Sequence, residues 1–225
     1  MKRLAGILIA SLSVPILVGC RFSSAGSSSG GTSAGGDSSG TVAQEDKLFL
    51  KQADGGFLFS TNDQAYWGSS GYTLWSLSCP SQTPFTQRDV ALTKTSGDGY
   101  AGYGIVLCEY DSGDADNDET MLVVMINTQQ QYSVGEATGS VYTAYTSPTW
   151  IQSLSLSRGY GMTNEVKVTR DGTGLFTLYL NGSQAMTFHD GRTPLQSGGG
   201  DGYIAVISPQ DNFPQTPVTI SYTDK

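Results

Sequence analysis

Two turn dipeptides, Asp171-Gly172 and Asn181-Gly182, most constrain what this chain can fold into. They separate three short runs, Val166–Arg170, Leu175–Leu180 and Gln184–Phe188. Both suit turns that need positive φ, and Asn-Gly between apolar runs is the strongest short hairpin signal. Two hairpins in succession make a meander. From about Val42 onward the chain has the same texture: short apolar runs split by turn residues, with no helical period long enough for a packed helix.

Tyr72–Leu77 and Asp89–Thr93 alternate in polarity, as half-buried strands do. Gly104–Tyr110 and Met121–Ile126 are fuller apolar runs, which suit central strands buried on both faces. Gln131–Glu136, Val141–Tyr145, Tyr203–Ile207 and Val218–Ile220 complete the set. The expectation is an all-β fold of about twelve strands in two packed antiparallel sheets, a β-sandwich.

The meander Asn164–Gly182 resembles that of concanavalin A-like lectin/glucanase domains, including laminin G-like modules. Gly102–Leu107, Met121–Ile126 with Gln131–Val134, Gly202–Val206 and Pro217–Ile220 follow the same strand order. The resemblance spans about Asp89 to Tyr222 and implies a concanavalin A-like jelly roll. That fold hosts lectins, glycosidases, adhesion modules and spacers, so the resemblance fixes no activity.

The amino-terminal end says where such a domain works. Met1-Lys2-Arg3 is a basic start, Leu4–Val18 is almost wholly apolar, and Leu17-Val18-Gly19-Cys20 closes it. At about fifteen apolar-biased residues this is a secretory leader rather than a membrane span of roughly twenty. Its last four residues resemble the lipobox of bacterial lipoproteins. The resemblance implies that residues 1–19 are removed and that Cys20 carries lipid. An ordinary leader whose cysteine later joins a disulfide is the alternative. Arg21 is not the Asp that retains such proteins at the inner membrane, so the resemblance favours the outer membrane or cell surface if the cell is Gram-negative. Residues 20–41 are mostly Ser, Gly, Ala and Thr and read as a flexible tether, with an r.m.s. span of roughly 25 Å. The sandwich domain is then 42–225.

The formal charge is −8, and about −10 once Lys2 and Arg3 leave. An acidic surface repels phosphate backbones, which disfavours nucleic acid as a partner. It gives no attraction to anionic lipid either, so membrane attachment falls to the acyl chains on Cys20. Two further cysteines follow, Cys79 and Cys108. An oxidising compartment permits a bridge between them. Two buried thiols acting as small hydrophobes fit the strand-like surroundings equally well.

Chemistry has few footholds. Glucanases of the resembled group use a strand-borne Glu-x-Asp-x-x-Glu, and Glu109-Tyr110-Asp111-Ser112-Gly113-Asp114 comes close. Asp114 is a methylene shorter, and Ser112-Gly113 reads as the strand's end, so a catalytic carboxylate pair is not expected. The single His189 stands beside Asp190, but no Gly-x-Ser-x-Gly elbow supports a hydrolase triad. It has no second histidine or Cys-x-x-Cys to make a zinc site. Asp111, Asp114, Asp116, Asp118 and Glu119 form an acidic run. Glu119 replaces the required Gly and Met125 the twelfth-position Glu, which excludes an EF-hand. A looser calcium site and a hydrated loop both remain open; no other cofactor is implied. Trp67, among Asn, Asp, Ser and Gly, is the best loop-borne aromatic for stacking on sugar, whereas Trp150 reads as structural.

These readings converge on an exported, lipid-anchored sandwich that binds a glycan or another envelope or surface ligand without catalysis. A glycoside hydrolase and a purely structural or adhesion protein are the alternatives. Oligomeric state has no sequence signal.

Overall fold

A computed structural model describes residues 21–26, 49–61, 73–79, 85–110, 120–138, 141–192, 200–207 and 217–225. Cys20, Trp67 and the acidic run Asp111–Glu119, which carry the lipid, sugar-stacking and calcium readings, lie outside the described residues.

The described residues form strands and no helix. In chain order the strands are β1 (Arg21–Gly26), β2 (Phe49–Lys51), β3 (Phe57–Ser60), β4 (Thr73–Cys79) and β5 (Gln87–Ser96). Then come β6 (Tyr103–Tyr110), β7 (Thr120–Ile126), β8 (Gln131–Thr138), β9 (Val141–Ala144) and β10 (Ile151–Gln152). The last five are β11 (Thr163–Arg170), β12 (Phe176–Leu180), β13 (Ser183–Phe188), β14 (Gly200–Ile207) and β15 (Thr219–Asp224). One sheet runs β1-β4-β14-β6-β7-β8-β10, with β9 also on β8; the other runs β13-β12-β11-β5-β15-β3-β2. Neighbours are antiparallel throughout, for example β6 with β7 and β5 with β11. The surplus over about twelve strands includes short pieces such as the three-residue β2 and two-residue β10, which pair through backbone groups and need no apolar alternation.

The meander appears where the turn dipeptides place it. Asn181 (φ 49°) and Gly182 (φ 79°) both take the left-handed conformation that a two-residue hairpin requires, linking β12 to β13. The Asp171 carboxylate accepts bonds from the Thr173 hydroxyl at 2.7 Å and from the amides of Thr173 and Leu175 at 2.8 and 3.0 Å. Those donors hold its pKa below the usual carboxylate range.

Between the sheets lies one core. Ile105, Leu107, Leu122, Val124, Ile126 and Val134 meet Val90, Leu92, Val166, Val168, Phe176 and Leu178. Because strand side chains alternate, the intervening residues of β6, β7 and β14 face outward. Val106, Met121, Val123, Met125, Ile204 and Val206 are buried there too, in a second apolar cluster joined by Tyr142 and Trp150. β6 and β7 are therefore buried on both faces, as their unbroken apolar runs predict.

One expectation changes, and of the two alternatives for the cysteines the free thiol is the one found for Cys108. Arg21–Gly26, read as the start of a tether, is strand β1, paired in register with β4 from Arg21 opposite Ser78 to Gly26 opposite Thr73. Ser, Ala and Gly are poor at burying apolar area, but an edge strand needs only its backbone groups to pair. Cys108 is a buried free thiol, so it forms no bridge with Cys79. Their strands are not neighbours: β14, from the far end of the chain, pairs with both β4 and β6 and lies between them.

Candidate functional site

The strand directions give the sandwich two ends with different chemistry. At one, β6, β8 and β11 begin and β5, β7 and β12 finish, so loops 97–102, 127–130, 153–162 and 181–182 gather. We call this the tyrosine end. Tyr100 (63% exposed), Leu154 (87%), Tyr160 (49%) and Met162 (44%) protrude there, and Leu50 is the one other large exposed apolar residue among those described. Bare apolar side chains of this size in one place mark an interaction surface more readily than scattered ones.

The loops that carry these side chains are tied down. Lys94, fully buried near the end of β5, donates from Nζ to the carbonyls of Asp98 at 2.6 Å and Ala101 at 3.1 Å. Its ammonium also lies 5.7 Å from the Tyr103 ring centroid. The Tyr100 amide donates to Asp98 Oδ1 at 3.0 Å. The Tyr160 hydroxyl donates to the Gly97 carbonyl, and Gly159 N donates to the Thr128 carbonyl at 2.9 Å. Arg158 donates to Gln129 Oε1 at 3.1 Å, and Gln130 Nε2 to the Leu156 carbonyl at 2.6 Å. Gly99 sits at the crossing point. A Cβ there would come 2.7 Å from Thr128 Oγ1 and 3.3 Å from the Tyr160 hydroxyl, so any larger residue must displace the Thr128 side chain. Two half-exposed phenol rings, flanked by the amide of Gln129 and the guanidinium of Arg158, make an amphipathic surface on a stiff base. Buried Asn164 adds to the base by bonding the Ser157 amide at 2.7 Å and accepting from Asn181 at 2.9 Å.

The opposite end is held by arginines. Arg192, buried after β13, forms a two-pronged pair with Asp190: Nε to Oδ1 at 2.9 Å and Nη2 to Oδ2 at 2.6 Å. Its Nη1 donates to the carbonyls of Cys108 at 2.7 Å and Thr120 at 3.0 Å, tying one sheet to the other. The Cys108 carbonyl is available because that residue takes φ 51° at the bulge between Leu107 and Tyr110. Burial keeps the Cys108 thiol protonated, pushing its pKa from 9.0 up to about 11. Arg88 on β5 pairs with Asp201 on β14 and with Asp224 at 2.9 Å, 5.0 Å from the Tyr203 ring centroid.

The sequence candidates distribute as follows. Glu109 is buried near the end of β6, opposite Gly200 of β14 and within the bulge. Its suggested partners Asp111 and Asp114 are outside the described residues. His189 is exposed in the turn after β13, and Asp190 is committed to Arg192, so the two do not make a relay. Among the described residues no three His, Cys, Asp or Glu side chains lie close enough to hold a metal ion. Trp150 is half-buried over the outer apolar cluster, where a Cβ on Gly102 would come 2.9 Å from its ring. Among the aromatics the sequence singles out Trp67, and it does not set Tyr100 and Tyr160 apart from the other tyrosines. The available signal was the Gly and Ser spacing around both, Ser96-Gly97-Asp98-Gly99-Tyr100 and Ser157-Arg158-Gly159-Tyr160-Gly161.

No protein-family model matches the chain, and no curated protein matches it in sequence. Its fold recurs in solved structures. The Bacillus licheniformis beta-glucanase matches at TM-score 0.51 and 9% identity, over 78% of this chain and 79% of that one. A prokaryotic beta-1,3-1,4-glucanase (lichenase) derived from a mouse hindgut metagenome matches at 0.50 and 12%, over 78% and 80%. The carbohydrate binding module CBM66 from Bacillus subtilis matches at 0.46 and 10%, over 71% and 88%. The fold is a concanavalin A-like, glucanase-type jelly roll. The two glucanases share it at 9% and 12% identity, a likeness of fold.

Proposed function

We propose that this is an exported lipoprotein, anchored to the envelope through Cys20, whose sandwich binds glycan without catalysis at the tyrosine end. The observation that carries the binding site is the pair of exposed rings, Tyr100 and Tyr160, on loops clamped by Lys94 and Asn164. Apolar pyranose faces pack on phenol rings, and the neighbouring Gln129 and Arg158 supply hydrogen bonds to hydroxyls. A stiff base reduces the ordering cost of binding. Two glucanases share the fold, which agrees with a carbohydrate ligand. The outer face of the β6 sheet supports the non-catalytic part, because its centre is packed with Val106, Val123 and Met125.

A glycan array probed with the full chain, and pull-down from envelope extracts, test the reading. Binding to a defined glycan class is expected. Tyr100→Ala with Tyr160→Ala weakens it roughly a hundredfold, since losing each aromatic anchor costs about 1–2 kcal/mol. A blank array and an empty pull-down overturn the reading, as does a double variant that binds normally. A hydrolase reading rests on Glu109 at the β6 bulge; β-glucan hydrolysis abolished by Glu109→Gln supports it.

A further inference from the structure

The register of β1 has a geometric consequence for an anchor at Cys20. Arg21 pairs with Ser78 and Gly26 with Thr73. Ser78 in turn faces Gly202, and its neighbour Cys79 faces Asp201, which pairs with Arg88. The amino-terminal residue of β1 therefore lies at the arginine end, and its carboxyl-terminal residue points toward the tyrosine end. Consecutive Cα atoms are about 3.8 Å apart, so Cys20 stands one such step from a residue zipped into the sheet. A freely jointed tether of twenty residues would instead hold the domain roughly 25 Å away with no preferred direction.

We propose that the arginine end faces the bilayer and that β1 fixes this orientation, presenting the tyrosine end outward. The interaction surface is the rim around the start of β1, including the β2–β3 turn at Ala53; its partner is the lipid surface that receives the Cys20 acyl chains. This rests on the reading of Cys20 as the anchor. The eight residues of β14 span about 26 Å at roughly 3.3 Å each, which is the height of the ligand site above the rim. A ligand on a neighbouring surface is then reached without a flexible arm.

The test uses the full processed protein in phosphatidylcholine vesicles carrying a headgroup nitroxide, in a Cys79→Ser background. A fluorophore is placed either at Ala53→Cys or at Leu154→Cys, both exposed, on opposite ends. Quenching at position 53 should exceed that at 154 by roughly threefold or more, because about 26 Å separates the two levels. Ser23→Pro with Ser24→Pro removes two adjacent backbone donors, unzips β1 and should make the two positions equal. Equal quenching without those prolines, on protein whose Cys20 is acylated by mass spectrometry, overturns the orientation and spares the anchor. A bare Cys20 overturns the anchor and this orientation with it. Hydrogen exchange at Phe22–Ala25 then shows whether β1 itself survives, and fast exchange in the acylated protein refutes the fixed strand directly.

Discussion

The two ends of the sandwich solve different problems with different chemistry. At the arginine end, ionised side chains cross between the sheets: Arg192 holds Asp190 and two carbonyls, and Arg88 holds Asp201 and Asp224. Charge is desolvated in the Arg192–Asp190 pair, so each of its members must keep its partner, whereas Asp224 of the Arg88 group is half exposed. At the tyrosine end Lys94, Asp98 and Arg158 bond carbonyls, an amide N–H and an amide oxygen, and the large apolar groups point out into water. One end closes the molecule; the other spends its rigidity on holding rings in the open. A stabilising network and a binding surface can thus be varied separately.

The hardest blow to that contrast is Arg192→Met. It strands the Asp190 carboxylate and the Cys108 and Thr120 carbonyls, and should cost about 3–5 kcal/mol in urea unfolding. Glycan affinity of the protein that remains folded should not change; a matching loss of affinity would mean the ends are coupled.

Alkali comes next. Unfolded chains release the Cys108 proton near 9.0 and the Tyr103 and Tyr142 protons near 10.0, whereas burial raises these to about 11, about 12 and about 12 in the fold. Raised values mean that stability is full below pH 9 and drains as pH climbs to 12, by on the order of 2 kcal/mol for each group. Urea midpoints across pH 8–12 measure this, and a flat profile contradicts it. Cys108→Ala should remove the earliest part of the fall.

Lys94→Met sharpens the contrast from the other side. It leaves the Asp98 and Ala101 carbonyls without their ammonium, costing about 2 kcal/mol, and unlike Arg192→Met it should also weaken glycan binding. The smallest effect belongs to Tyr160→Phe. The ring stays and the bond to the Gly97 carbonyl goes, so stability should fall by about 1 kcal/mol and affinity should stay within roughly twofold. A larger loss of affinity would place the hydroxyl, not the ring, at the centre of recognition.

Much of the fold is legible in the chain because its signals are local. Asn181-Gly182 demands a tight hairpin wherever it stands, and the unbroken runs of β6 and β7 require cover on both faces. The site was less legible. A tyrosine between glycines reads the same whether its ring is tucked away or bare, and nothing near Tyr100 announces that Lys94 will clamp its loop. Trp150 shows the converse error open to composition alone: a prominent aromatic that the sheet absorbs against Met125 and Gly102.

Alternation and turn chemistry, which act over a few residues, were enough by themselves to settle an all-β, two-sheet protein with a carboxyl-terminal meander. Strand order was decided only by the tertiary structure, since β14 enters between β4 and β6 from over ninety residues away in sequence. That long-range pairing separates Cys79 from Cys108, while β4 draws a Ser-rich segment into an edge strand and the β5–β11 pairing gathers Tyr100, Leu154 and Tyr160 at one end. Burial and partnership of this kind depend on which distant backbones meet, and no short window of residues encodes that meeting.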